Sequence, residues 1–386
     1  MRIVLAGIIG RYPWGGVAWC SLMYLLGLRK LGHEVYYLED TCECNYDPEE
    51  NAITTRPSYA LRHIDNTLRP FGLGDSWCYV DYTGKHHGLT AEKMVEVCRS
   101  ADLFLVLSGG CWVWRDHYLA VPRKAFIDSD PAFTQLAIHE AEKQSCIDER
   151  KSWYVDFFNG YDTLFTFGSG IARGTASVPA TRPWIATWQP VDIALWNPKR
   201  YALPPRDVFT TIMTWRFESF QDIGGNKDHE FLKVIDIPQH LPRGGGLAFE
   251  LAVSGPMHLL RDRGWRCVNA FHVSADIWRY HNYICGSLGE FSVAKGTYVG
   301  TRSGWFSDRT ECYLAAGRPA VVQETGFSDV LPTGEGLFAW RKQGEALRFL
   351  EEVRGNYPFH SARARELAVE YFRAETVLSK LLNAIS

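Results

Sequence analysis

Thr301-Arg-Ser-Gly-Trp-Phe-Ser-Asp-Arg-Thr-Glu-Cys-Tyr-Leu-Ala-Ala-Gly-Arg-Pro-Ala-Val-Val-Gln-Glu324 reads as a strand end, a Ser-Gly turn, a helix, a glycine stop, a proline and a new strand. Gly317 suits the left-handed position that ends a helix, and Pro319 cannot continue one. The Ser303-Gly304 turn exposes backbone amides where the helix begins, near Phe306 and Ser307. Those amides and the positive end of the helix dipole suit a diphosphate. Asp308 and Glu311 stand three residues apart, so both carboxylates can face one side and reach a ribose. Arg309 lies between them.

The same alternation runs outward in both directions. Val208–Thr214, Leu247–Val253, Arg266–Asn269, Phe291–Lys295, Ala320–Glu324 and Leu337–Trp340 read as short strands, with helices at 258–263, 308–316 and 343–354. Towards the N-terminus, Arg2–Gly7 is a strand ending in a glycine-punctuated loop, Gly7 to Gly16. An apolar helix, Val17 to Leu31, is stopped by Gly32, and His33–Glu39 is a second strand. Further strands are expected at 103–107, 124–127, 163–167 and 184–186. This pattern predicts an α/β chain with two Rossmann-like, doubly wound domains. Prolines at 190, 198, 204 and 205 fix an extended connection between the two series. The expected division is a domain over 1–190, a linker over 191–206, a domain over 207–360, and a C-terminal helix over 361–386 that braces the first domain.

The 386 residues are 46% apolar and 22% charged, ordinary values that exclude disordered, collagenous and coiled-coil classes. A net charge of −3 supplies no field for nucleic acid or an anionic membrane. No stretch reaches the length and apolarity of a membrane span, and MRIVLAGIIG is too short for one. The ten cysteines form no C-x-x-C pair, so scattered reduced thiols and a cytoplasmic location are expected. Gly7-x-x-Gly10 lacks the spacing of a dinucleotide fingerprint, although Glu39 imitates its ribose-binding acid. No nucleophile elbow, phosphate-binding P-loop or catalytic triad spacing is present; Ser169 in Phe167-Gly-Ser-Gly170 misses the elbow.

The 301–324 segment resembles the donor-nucleotide motif of GT-B glycosyltransferases, in which a loop-helix bearing an acid leads to a small-residue end, Gly, a further residue, Pro and a strand. Leu314-Ala-Ala-Gly-Arg-Pro-Ala-Val-Val322 is similar to the second part of that motif. Gly15-Gly16 resembles the glycine pair that approaches the donor phosphates. Lys30-Leu-Gly-His-Glu-Val35 and Pro190-Val191-Asp192 resemble the start of the family's second strand and its interdomain crossover. The resemblance implies transfer of a sugar from a nucleoside-diphosphate sugar, with no metal and no cofactor beyond that co-substrate, to a small-molecule or glycan acceptor. It places Ser303, Gly304, Ser307, Asp308, Arg309 and Glu311 at the donor, and Arg216 with Lys227 at the leaving diphosphate, where two cations do the stabilising. Lys295 is a third such candidate.

The chain departs from the family pattern in two places. The ribose-binding Glu stands five residues before the motif glycine; five before Gly317 is Cys312, and Glu311 is one residue off, a rotation of ~100° on a helix. Either Glu311 or Asp308 serves the ribose. The Glu some eight residues earlier that touches the donor sugar in many relatives has no counterpart, because Ser303 and Gly304 occupy its place. An acceptor-side base is expected at strand ends of the first domain, and Asp128 and Asp130 stand at one. The same Asp128-Ser-Asp130-Pro131 also reads as a helix cap. It has the form of a D-x-D metal motif, but it lies in the acceptor half. His86, His87 and His117 lie in loops of that domain, and Trp14, Trp112 and Trp305 beside its glycines or those of the donor loop. Two alternatives share the architecture: a nucleotide-sugar epimerase, and a sugar-nucleotide-binding protein without catalysis.

Overall fold

The computed structural model describes residues 1–145, 148–198, 206–216, 225–240 and 248–385. Cys146, Leu247 and residues 199–205 of the expected linker lie outside them. The chain divides into two compact units: Met1–Gly168, Val178–Pro190 and Ala374–Ser386 in the first, Ser169–Ser177 and Val191–Arg373 in the second.

The strands of the first unit are β1 (Arg2–Ala6), β2 (Glu34–Glu39), β3 (Asn45–Asp47), β4 (Ala52–Thr54), β5 (Trp77–Val80), β6 (His86–Gly88), β7 (Leu103–Leu107), β8 (Lys124–Asp128), β9 (Thr163–Thr166) and β10 (Ile185–Ala186). Eight of them form one sheet in the order β10-β9-β8-β7-β1-β2-β5-β6, while β3 and β4 pair separately. Only the edge pairing of β5 with β6 in this sheet is antiparallel. The five residues of β7 are all buried, as a parallel strand covered on both faces requires. The helix Gly15–Lys30 begins two residues earlier than the sequence suggested, because Gly15 and Gly16 already adopt helical pairing. Its Gly27 lets the helix Ala374–Ile385 approach; a Cβ there would collide with Leu378.

The second unit carries β11 (Phe209–Thr214), β12 (Phe249–Ser254), β13 (Arg266–Asn269), β14 (Gly289–Ser292), β15 (Ala320–Gln323) and β16 (Leu337–Trp340). They form a parallel sheet in the order β13-β12-β11-β14-β15-β16. Counted within the unit this is 3-2-1-4-5-6, the dinucleotide-type doubly wound order, whose direction reverses between β11 and β14. Its core is an aromatic stack: Phe249 against Trp265 at 5.0 Å, Trp265 against Phe291 at 5.8 Å, and Phe291 against Trp340 at 5.9 Å. The expected single C-terminal helix is instead two. Tyr357–Leu367 belongs to the second unit, a π-helical turn follows at Ala368–Phe372, and Ala374–Ile385 belongs to the first unit. No helix of the described residues is long and apolar enough to cross a membrane.

Candidate active site

In an open α/β sheet, ligands bind beyond the carboxyl ends of the strands where the strand order reverses. In the second unit those ends belong to β11 and β14. Arg216 lies two residues past β11 and is exposed. Lys227 is the first residue of the helix Lys227–Leu232, which is tied back to the end of β11 by the Asp228 amide donating to the Trp215 carbonyl at 3.1 Å. Lys295 lies three residues past β14, with its ammonium 5.3 Å from the Tyr298 ring centroid. Lys227 has its pKa pushed down to about 7, first by burial and then by the charges of Arg309 and Lys295, against the pull of Glu290 and Asp308. No carboxylate lies within ion-pair reach of Lys227 among the described residues. The sequence-predicted Arg216 and Lys227 are therefore both placed at the reversal point, and Lys295 joins them.

Arg309 requires a correction. Its guanidinium does not face a ligand but turns into the unit, where Nε donates to Glu290 Oε1 at 2.8 Å and an Nη to the Ile212 carbonyl at 2.6 Å. Burial opposes its charge, yet Glu290 outweighs burial and holds the pKa above its ordinary value. Arg309 thus anchors the helix Asp308–Ala315 to β11 and β14 and lends the site a buried positive charge.

The loop before that helix is held by backbone contacts. Arg302 and Gly304 both have left-handed φ, +51° and +76°. The Gly304 amide donates to the Thr325 carbonyl at 2.8 Å, and the Ser303 hydroxyl accepts from the Trp305 amide at 3.3 Å. Ser303 and Gly304 therefore shape the loop, and Ser303 is fully buried. The turn at Ser169–Gly170 is packed against them, with the Gly170 amide donating to the Ser303 carbonyl at 2.9 Å. Ser307 is the N-cap of the helix Asp308–Ala315, but its hydroxyl makes no capping bond. Asp308 is half-buried at the first helical position, and burial raises its pKa in spite of Arg309 and Lys227. Glu311, by contrast, is fully buried.

In the first unit Gly15 and Gly16 open the long helix, with Trp14 at the N-cap. Glu39, the imitation ribose acid, is turned back on its own loop: it accepts from the Gly10 amide at 2.7 Å, the Arg11 amide at 2.5 Å and the Tyr37 hydroxyl at 2.7 Å. Burial pushes its pKa up to about 7 although those donors oppose the shift. Asp128 is the second correction. It is fully buried and accepts four hydrogen bonds, from the Asp130 amide (3.1 Å), Thr134 (2.7 Å), Gln135 (2.9 Å) and Thr166 (3.0 Å). A carboxylate has about four lone-pair sites, so these four donors saturate it in the folded turn. Asp128 holds the turn after β8, as the capping alternative describes. Asp130 stays half-buried beside it.

Two features escaped the sequence reading. Glu290 sits inside the buried strand β14, and a charge within a Gly-Glu-Phe-Ser strand was the available signal, since buried carboxylates need partners. Asp81 pairs with His87 at 2.8 Å on the β5–β6 hairpin. Burial raises the Asp81 pKa, but His87, Thr83 and the Lys85 amide outweigh burial and hold it at about 2. Nothing in the spacing of those two residues marks them as a pair before the hairpin register is known.

No protein-family model matches the chain, and no curated protein sequence does. Solved structures do. An alpha-glucosyltransferase in complex with UDP is similar over 100% of this chain and 99% of its own, at 11% identity and a TM-score of 0.56. A glycosyltransferase involved in avilamycin A biosynthesis gives 14% identity, 100% and 97% coverage and a TM-score of 0.54. Sucrose-phosphate synthase from Thermosynechococcus elongatus gives 11% identity, full coverage of both chains and a TM-score of 0.53. Likeness at this level shows the fold: the chain has the two Rossmann-like units of the GT-B architecture. The same alpha-glucosyltransferase is also known in complex with UDP and DNA.

Proposed function

We propose that this chain is a glycosyltransferase that binds a nucleoside-diphosphate sugar in its second unit and passes the sugar to a small-molecule or glycan acceptor held by the first. The observation that carries the reading is Lys227: a half-buried ammonium with no ion pair among the described residues, flanked by Arg309 and Lys295, where the strand order reverses. Such a cluster is unfavourable empty and favourable with a dianion. Arg216, Lys227, Lys295 and the amides ahead of Asp308 hold the diphosphate, and Asp308 takes the ribose. Gly15 and Gly16, at the start of the long first-unit helix, are the residues that resemble the family's phosphate-approaching glycine pair. Asp130 remains the acceptor-side base. These three cations and the helix end stabilise the leaving group in this reading, without a metal. The UDP in the similar structures makes UDP the first nucleotide to test. The net charge of −3 supports an acceptor other than nucleic acid, and the nine free thiols among the described residues support a cytoplasmic location.

Thermal shift with UDP, GDP and ADP, each with and without excess chelator, tests the donor site. Stabilisation of ~2.7 kcal/mol is expected at a hundred times Kd. No shift with any of them defeats the reading, and a shift abolished by chelator defeats the metal-independent part. The saturated Asp128 favours a second reading, a sugar-nucleotide-binding protein without catalysis. It predicts binding with neither transfer nor hydrolysis across a panel of acceptors.

A further inference from the structure

We propose that Glu290 is a positioning residue that sets the charge of the diphosphate site, acting on Lys227 directly and through Arg309. The inference rests on the donor site proposed above and adds a residue to it. Glu290 is fully buried on β14, in register with Thr210 of β11. Oε1 takes both Nε and an Nη of Arg309 at 2.8 Å, while Oε2 is buried without a hydrogen-bond partner among the described residues. A carboxylate with an unused buried oxygen is costly unless a donor comes to it. Among the described residues, the charges that act most on Lys227 are Arg309 and Lys295, which repel its proton, and Glu290 and Asp308, which retain it. Of the two acids, Asp308 lies at the half-exposed edge, whereas Glu290 is locked below it by Arg309. Glu290 therefore keeps enough negative charge under the site for Lys227 to stay available as an ammonium. A diphosphate then draws that ammonium upward, and the carboxylate stays paired with Arg309.

Removing the charge while keeping the shape isolates this role. UDP affinity is measured by calorimetry from pH 6 to pH 8.5 on the full chain and on Glu290→Gln. Wild-type affinity is expected to fall above the pH at which free Lys227 loses its proton, by roughly tenfold per pH unit while the bound ammonium stays charged. In Glu290→Gln the break moves to lower pH, so the ratio of Kd at pH 8 to that at pH 6 grows by roughly tenfold for each unit of displacement. A merely structural carboxylate would lower thermal stability and leave the break where it is. Should Glu290→Gln not fold, Glu290→Asp withdraws the charge by one methylene and moves the break the same way by less. A folded variant of either kind with the wild-type pH profile overturns the proposal. UDP binding absent from the wild type at every pH removes the donor site itself, a distinct result.

Discussion

Gly304 and Gly170 meet backbone to backbone: a methyl group on Gly304 would strike the Gly170 nitrogen and the Ser169 hydroxyl. Gly304 also has φ +76°, a conformation that L residues adopt at a cost of about 1–2 kcal/mol. Gly304→Ala should therefore destabilise the protein by about 3 kcal/mol, strain and overpacking together. UDP should bind more weakly to whatever remains folded, because the loop leading to the Asp308 helix is displaced. A melt and a UDP titration check both effects, and a variant with wild-type stability contradicts the packing argument.

Lys227 predicts a pH dependence with a definite sign. Free Lys227 titrates at about 7, and a bound diphosphate raises that value by supplying negative charge. Below pH 7 the amine is already protonated, so affinity is flat. Above it, binding must take up a proton, so affinity falls as pH rises. Lys227→Met should flatten the curve and weaken UDP at pH 7 by roughly 10- to 150-fold, the worth of about 1.5–3 kcal/mol for a charged hydrogen bond. A wild-type isotherm independent of pH from 6 to 8.5 contradicts it.

For the ribose, the structure separates the two acids that the sequence left equivalent. Asp308 keeps accessible surface and Glu311 has none. Asp308→Ala should weaken UDP by about 10-fold or more, again from the charged-acceptor range, and 2′-deoxy-UDP by less. Glu311→Ala should act mainly on stability. The opposite pattern, with Glu311→Ala losing UDP and Asp308→Ala neutral, assigns the ribose to Glu311.

Asp128→Ala strands the hydroxyls of Thr134 and Thr166, the Gln135 amide and the Asp130 N–H. With about 1–3 kcal/mol for each buried group left unsatisfied, partly recovered by relaxation, a loss of at least ~3 kcal/mol is expected. Chemical denaturation measures this. A stable Asp128→Ala protein that has lost transfer alone would restore Asp128 as a base.

The two raised carboxylates of the first unit give stability its own pH trend. Asp128 titrates at about 6 and Glu39 at about 7 in the folded chain, above their ordinary values of 3.8 and 4.5. The native state therefore holds more protons than the unfolded chain between pH ~4 and ~7, and these two groups make stability fall as pH rises across that window. Comparing the slope of melting temperature against pH in wild type and Asp128→Asn tests this; an unchanged slope below pH 6 counts against it.

The architecture was legible because it is written in local signals. β7 is an uninterrupted apolar run, and Gly317 with Pro319 marks the end of the Asp308 helix. The strand ends that place Lys227 and Arg216 follow from the same alternation. Side-chain direction was not legible. Arg309 and Asp308 are neighbours on one turn, yet one points into the unit and the other to its edge, and a difference of ~100° per residue decides which. Asp128 could be read as base or cap until its four donors were known. Short strands such as Trp77–Val80 carry too few residues for a period to show.

The membership of Ser169–Ser177 in the second unit, and of Ala374–Ser386 in the first, makes the two halves hard to separate. A fragment beginning at Val191 would lack the turn whose Gly170 amide holds the Ser303 carbonyl, and one ending at Pro190 would leave the surface around Gly27 without Leu378. Exchanging second units between proteins of this architecture by a single crossover near residue 190 would therefore graft the Ser303–Gly304 loop without its brace. Recombination that respects the fold must carry the nine residues from Ser169 to Ser177 along with the half they support, so the second unit is inherited in two pieces of sequence.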